Sequence, residues 1–302
     1  MAELTIINNE NDKSHINKIK TEIYNKPLGK NQDYICSGEG YNYECEYIKW
    51  ILVLDGHGTN KCIDFLKTYE WNDIVLREKE PLKYIRTQFV KFRQIGYDFS
   101  RSGSTFSLVE IYKNKIRCTN IGDSQTAVFK NNELVYINKK HNLQNELERN
   151  RVKYKLDQNN PSIKYEQHTI IEENQLYFFD IDYYAVFMNG LTLTVTQALG
   201  HNNYLDCIPE IQTIYYNNIN DNNDNNDKIK IVIGSDGFWD MISLEKKRFN
   251  DIQDLLTLNS QELSEIVEKR WKQTWNCTHL GETHAVNFSN IDDISVGIIT
   301  NY

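Results

Sequence analysis

Positive charge is in short supply in this chain. Its 34 Lys and Arg face 42 Asp and Glu, a formal charge of −8, which argues against the phosphate backbone of a nucleic acid as the main partner. Paired cysteines are missing too. Cys36, Cys45, Cys62, Cys118, Cys207 and Cys277 are scattered with no C-x-x-C pair, so neither a disulfide framework nor a zinc site is expected. Reduced thiols in a cytoplasmic, intracellular protein are the expectation, with the nucleus open as well. Proline (4) and glycine (14) are too sparse for a collagen-like fibre, and 40% hydrophobic residues are too many for wholesale disorder. No long apolar run exists: the most apolar stretch, 47–54, is broken by Lys49 and is far too short to span a bilayer. Residues 1–13 are polar, so no secretory leader and no membrane attachment are expected.

What is present reads as one α+β domain of 302 residues. Residues 50–54 (Trp-Ile-Leu-Val-Leu) are continuously apolar, as a strand covered on both faces must be, and run directly into Asp55-Gly56. Residues 105–112 and 116–121 are separated by three residues, and 125–129 and 134–137 by four. Links this short make hairpins, because parallel neighbours need a crossover of roughly a dozen residues, so the sheet is antiparallel. Residues 229–233 and 294–299 read as two more buried strands. Helices are expected after Thr59 as a cap, from Pro81 with Leu82, Ile85, Phe89 and Phe92, and after Asn259. There Glu262 completes a capping box ahead of Leu263, Ile266, Val267 and Trp271. The Asn/Asp-rich run at 217–227 reads as a solvated, mobile loop, and 142–190 as a flap or insertion that periodicity does not resolve.

The acidic residues fall where chemistry can gather. Asp55 follows one strand, Asp123 follows the strand ending at Ile121, Asp236 follows the strand ending at Ile233, and Asp292 and Asp293 precede the strand opening at Ile294. Ends of antiparallel neighbours can meet at one rim of a sheet. Carboxylates crowded there repel, and burying them unpaired costs several kcal/mol each. Hard divalent cations remove that cost, and an all-oxygen set suits magnesium or manganese better than zinc. Glycine stands beside Asp in Asp55-Gly56-His57-Gly58, Gly122-Asp123 and Asp236-Gly237, allowing tight turns next to an ion. His57, two residues from Asp55, is a candidate general acid or base.

In this order the residues resemble the metal-dependent Ser/Thr phosphatases of the protein phosphatase 2C family. The resemblance is carried by Asn31-Gln32-Asp33, Asp55-Gly56-His57-Gly58, Ser102-Gly103-Ser104-Thr105, Asn120-Ile121-Gly122-Asp123-Ser124, Ser235-Asp236-Gly237-Phe238-Trp239-Asp240 and Asp292-Asp293-Ile294-Ser295-Val296. The weaker motifs Ala198-Leu199-Gly200 and Ile208-Pro209-Glu210 fall between them. The resemblance implies a four-layer α-β-β-α sandwich of two antiparallel sheets flanked by helices. It implies two Mg²⁺ or Mn²⁺ ions bridged by Asp55, with the Gly56 carbonyl on one and Asp236 and Asp292 on the other. Asp33 would hold water around the ions, Asp123 and Asp240 would help form a third, weaker metal site, and His57 would protonate the leaving Ser or Thr oxygen. The implied activity is hydrolysis of phosphoserine and phosphothreonine in a phosphorylated protein substrate by a metal-bridging hydroxide, with the chain as a monomer. No cysteine nucleophile is needed, and no Cys-x5-Arg phosphatase loop is present.

Some positions depart from the family pattern. Leu28 stands where a phosphate-binding Arg is common, leaving Lys30 (or Lys26) to take the phosphate; Thr59 replaces a Gly. Lys140-His141 stands where Asp-His is common, Gln197 where Arg is, and His201 where Asp follows Leu-Gly. The alternative is a catalytically dead relative serving as a phosphoprotein-binding or scaffold module, although Asp55, Asp236 and Asp292 are all retained. A two-metal nuclease would use similar chemistry, and the charge of −8 argues against it.

Overall fold

A computed structural model describes residues 16, 18–156, 163–172, 175–188, 191–217, 226–244, 251–279, 282–288 and 290–301. Along the chain come β1 (Lys20–Lys26), β2 (Asp33–Tyr41), β3 (Tyr47–Gly58), α1 (Lys61–Lys67), α2 (Trp71–Arg77) and α3 (Pro81–Gln94). There follow β4 (Ser102–Ser104), β5 (Phe106–Ile111), β6 (Lys115–Ile121), β7 (Gln125–Lys130), β8 (Glu133–Ile137), α4 (Glu146–Leu156), β9 (Ile163–Glu172), β10 (Gln175–Met188) and β11 (Leu191–Leu193). The last part holds β12 (Leu199–Gly200), β13 (Glu210–Tyr215), β14 (Ile229–Gly234), α5 (Asp236–Trp239), α6 (Asp251–Thr257), α7 (Ser260–Lys272), β15 (Trp275–His279), β16 (Glu282–Val286) and β17 (Ile294–Thr300).

One sheet has the order β1-β17-β14-β7-β8; a second runs β12-β4-β3-β5-β6-β13, with β2 also paired to β3. Every ladder in both is antiparallel, and the β5–β6 and β7–β8 hairpins are those expected from their short links. Alternation along the strands builds the layers. Ile51 and Val53 of β3 meet Ile229, Ile231 and Ile233 of β14 between the two sheets. Ile48, Trp50, Leu52 and Leu54 of β3 point the other way, onto Cys62, Ile63 and Leu66 of α1, Trp71 and Val75 of α2, and Ile85 and Phe89 of α3. On the opposite side Val232, Ile294, Val296 and Ile298 pack on Leu255 of α6 and Leu263, Val267 and Trp271 of α7. The result is the α-β-β-α sandwich. Each fully buried Ile, Leu or Val stabilises it by about 1.5–3 kcal/mol.

Helix starts follow their local chemistry. Pro81 occupies the first turn of α3, where no intrahelical partner for its nitrogen is needed. Asn259 and Glu262 close a reciprocal capping box on α7. The expected Thr59 cap is different: the residue preceding α1 is Asn60, with no side-chain cap bond, and the Cys62 N–H is taken from across the chain by Ser102 Oγ at 2.7 Å.

Beyond the two expected sheets lies a third, also antiparallel, in the order β11-β10-β9-β15-β16. It joins the 142–190 region to strands more than a hundred residues further on, through Cys277 opposite Ile170. Of the Asn-rich run at 217–227, residues 218–225 lie outside the described residues. Its two ends are tied together, with Asn217 N–H donating to Asp227 Oδ2 at 2.7 Å. Cys36, Cys45, Cys62, Cys118 and Cys207 are all free thiols. Among the described residues no helix is long and apolar enough to cross a membrane.

Candidate active site

The rim forms where strand ends meet. Asp33 opens β2 directly opposite Asp55 near the end of β3. β14 and β17 run antiparallel with Gly234 facing Val296, so Asp236 just past one strand and Asp292 just before the other lie at the same edge. Asp123 sits in the turn between β6 and β7. Lys30, Asp55, Gly56, His57, Asp123, Asp236 and Asp292 all line one cleft of about 450 Å³. Residues 191–195, directly after the 142–190 region, form another part of its wall.

Backbone constraints explain the glycines. Gly58 has φ +77°, and a Cβ there would lie 2.2 Å from the Arg101 carbonyl oxygen. Gly56 donates its N–H to the Gln32 carbonyl at 3.0 Å, too close a packing for a side chain. Gln32 itself donates from Nε2 to the Gly58 carbonyl at 3.1 Å and to Asn60 Oδ1 at 2.8 Å, fastening the loop before β2 to the end of β3.

The electrostatics are those of carboxylates gathered in a poorly hydrated space. Burial, then the charges of Asp236, Asp33 and Asp292, hold the Asp55 carboxyl well above the usual range. Burial also raises Asp33, opposed by a hydrogen bond from Ser235 and reinforced by Asp236 and Asp292. Burial with Asp123 and Asp240 nearby pushes Asp236 up to about 7. Asp292 is the most open of these four, yet loss of hydration within the cleft and the Asp236 charge bring it to about 7 as well. Burial takes Asp123 to about 6 against the pull of Lys140. Asp33 Oδ2 is buried with no hydrogen-bond partner.

That donor set fits the chemistry of a hard divalent cation: oxygen atoms alone, mutually repelling, one of them buried and orphaned. Among the described residues, no three His, Cys, Asp or Glu side chains are drawn into a closed ligand set. Asp55, Asp123, Asp236 and Asp292 share the cleft without forming a tight cage, and Asp33 is buried opposite Asp55 without lining it.

Two expected site residues stand differently. Asp240 does not line the cleft; its Oδ1 is 2.6 Å from Lys140 Nζ. His57 stacks on His201, ring centroids 4.9 Å apart, and Nε2 of each is buried with no partner. Both nitrogens crowd Gly103, where a Cβ would lie 2.5 Å or less from them. Burial and the neighbouring His201 push His57 down to about 3, so its ring is neutral at pH 7.

Other residues matter to which the sequence reading assigned no role of their own. Asp293, 1% exposed, turns from the cleft to grip the loop carrying Lys30: its Oδ1 accepts from Leu28 N and Gly29 N at 2.9 and 2.8 Å, and its Oδ2 from Gln32 N at 2.7 Å. Arg101 also lines the cleft, its carbonyl accepting from Thr59 N at 2.9 Å beside the end of β3. Asp292 and Asp293 are neighbours of one type, and only the family resemblance, not the local pattern, pointed to Asp292 as the one at the cleft. Arg101 precedes the Ser-Gly-Ser-Thr motif and was detectable only as an unassigned cation beside it.

Comparison with known proteins gives one account of this arrangement. A family model described as Protein phosphatase 2C matches residues 35–247. A serine-threonine phosphatase 2C from Toxoplasma gondii superposes with a TM-score of 0.58 at 14% identity, over 93% of this chain and 94% of that one. A serine/threonine phosphatase from Staphylococcus aureus gives 0.54 at 13% identity, over 93% and 94%. A C. elegans sex-determining protein gives 0.56 at 16% identity over 94% of this chain, which spans 64% of that protein's length. No curated protein sequence matches. At these identities the structural likenesses establish the fold, and the family model adds the lineage: the chain belongs to the protein phosphatase 2C family.

Proposed function

We propose that the protein is a Mg²⁺- or Mn²⁺-dependent phosphatase that removes phosphate from phosphoserine and phosphothreonine in proteins. The observation that carries this reading is the meeting of Asp33, Asp55, Asp236 and Asp292 at paired strand ends beside a cleft that Lys30 and Arg101 also line. Two divalent ions held by Asp55, Asp236 and Asp292, with the Gly56 carbonyl, would supply positive charge to the phosphoryl oxygens and acidify water.

The chain's own residues do the rest. Lys30 offers a point charge to the phosphate, and Arg101 a planar fork that can hold two of its oxygens. With Leu28 in the usual Arg position, these two are the cations at the cleft mouth. Asp33 is placed to orient water through its unpartnered Oδ2. His57 protonates the departing oxygen, a role that requires its ring to turn Nε2 from Gly103 toward the cleft.

The test is phosphate release from a phosphothreonine peptide by EDTA-treated protein, with and without added Mn²⁺. Release that needs Mn²⁺ and falls by at least about a hundredfold in Asp236→Ala is the expected result. A folded protein that binds Mn²⁺ but releases no phosphate would overturn it in favour of a phosphoprotein-binding scaffold.

A further inference from the structure

The acidic rim divides into two parts by the charges that oppose it. Asp33 and Asp55 are opposed chiefly by Asp236 and Asp292, while Asp236 joins the two parts, its strongest neighbours being Asp123 and Asp240. Asp123 and Asp240 have a cation from the chain itself. Lys140, in the loop after β8, places Nζ 2.6 Å from Asp240 Oδ1, and its charge also reaches Asp123 and Asp236. Its side chain is 22% exposed, drawn in over the rim instead of extended into water.

The backbone leaves little freedom in this placement. Gly122, directly before Asp123, donates its N–H to His141 Nδ1 at 3.2 Å, and His141, directly after Lys140, donates its N–H to the Gly122 carbonyl at 2.9 Å. Asn145 Nδ2 donates to the Lys140 carbonyl at 3.2 Å. Thus one two-point clamp sets both Asp123 and Lys140, each a single residue from it. An ammonium at this distance from a carboxylate neutralises one charge and brings no coordination sphere.

We infer that Lys140 is a built-in counter-ion for Asp123 and Asp240, so that the rim takes divalent cations at its Asp33–Asp55–Asp236–Asp292 end and none between Asp123 and Asp240. This rests on the reading of the rim as a divalent-cation site, and it turns a position where the family commonly has Asp into a fixed positive charge. The chain thereby carries internally what related chains would recruit from solution.

The experiment counts Mn²⁺ per chain on EDTA-treated protein by calorimetry and by electron paramagnetic resonance, with no substrate present. Asp240→Ala in the wild-type background should leave the count unchanged. Lys140→Asp, which adds a third carboxylate beside Asp123 and Asp240, should raise the count by one, and Asp240→Ala in that background should remove the added ion. Loss of a Mn²⁺ on Asp240→Ala in the wild-type background, or an unchanged count in a folded Lys140→Asp protein, overturns the inference. If Lys140→Asp does not fold, the wild-type and Asp240→Ala counts still decide. A wild-type protein that binds no Mn²⁺ would overturn the reading of the rim as a divalent-cation site, whereas either failure above in a wild-type protein that does bind Mn²⁺ overturns the role of Lys140 alone.

Discussion

In the role proposed for it, His57 is pulled between two requirements. A general acid must carry a proton at working pH, whereas burial and a stacked imidazole both disfavour imidazolium. The neighbour is His201, standing where a carboxylate that would favour imidazolium is common in the family. His57→Ala should slow hydrolysis of a phosphothreonine peptide at least about tenfold more than hydrolysis of an aryl phosphate, whose leaving oxygen needs no proton. Equal slowing of the two substrates in steady-state assays would remove His57 from proton transfer. At this scale the sequence was informative about which acids stand at strand ends, because Asp after an apolar run is a local signal. Local pattern was silent on orientation, and only the family resemblance pointed to Asp292. Asp292 and Asp293 look alike in the chain, and only the geometry of β17 turns one to the cleft and the other under the 28–32 loop.

Among the elements, that loop shows how much a single buried carboxylate can hold. Three backbone N–H groups converge on Asp293, and charge-assisted bonds of this kind contribute about 1.5–3 kcal/mol each at most, less when they share an acceptor. Asp293→Ala should therefore destabilise the protein by about 3 kcal/mol or more in urea unfolding and weaken phosphate binding through Lys30. A loss below about 1 kcal/mol would show that the loop is held by other means. Hairpins and helices were legible because their partners are close in sequence: three residues join β5 to β6, and Asn259 caps with Glu262. The third sheet was not. β9 finds one neighbour in β15, about a hundred residues away, and such a pairing leaves no short-range pattern.

For the whole molecule, the gathered acids set how stability responds to pH. A carboxyl raised in the folded state favours folding below its unfolded value, and that benefit is lost as pH rises through the folded value. Those values are about 6 for Asp123 and about 7 for Asp236 and Asp292, with Asp33 and Asp55 raised as well. His57, His141 and His201, all lowered, act oppositely, and only as pH falls below about 6.5. EDTA-treated protein should thus melt at a lower temperature at pH 8 than at pH 6.5, and Mn²⁺ should raise the melting temperature more at pH 8. Scanning calorimetry that finds the metal-free protein steadier at pH 8 would contradict the repulsion described. The seating of β17 between β1 and β14 has a temporal meaning too. A ribosome delivers Asp55, Asp123 and Asp236 long before Asp292, and β1 waits for a strand some 270 residues downstream before it can pair. The rim is closed by the same event that completes the sheet, so a nascent or clipped chain lacking that strand would have neither a finished core nor a finished site.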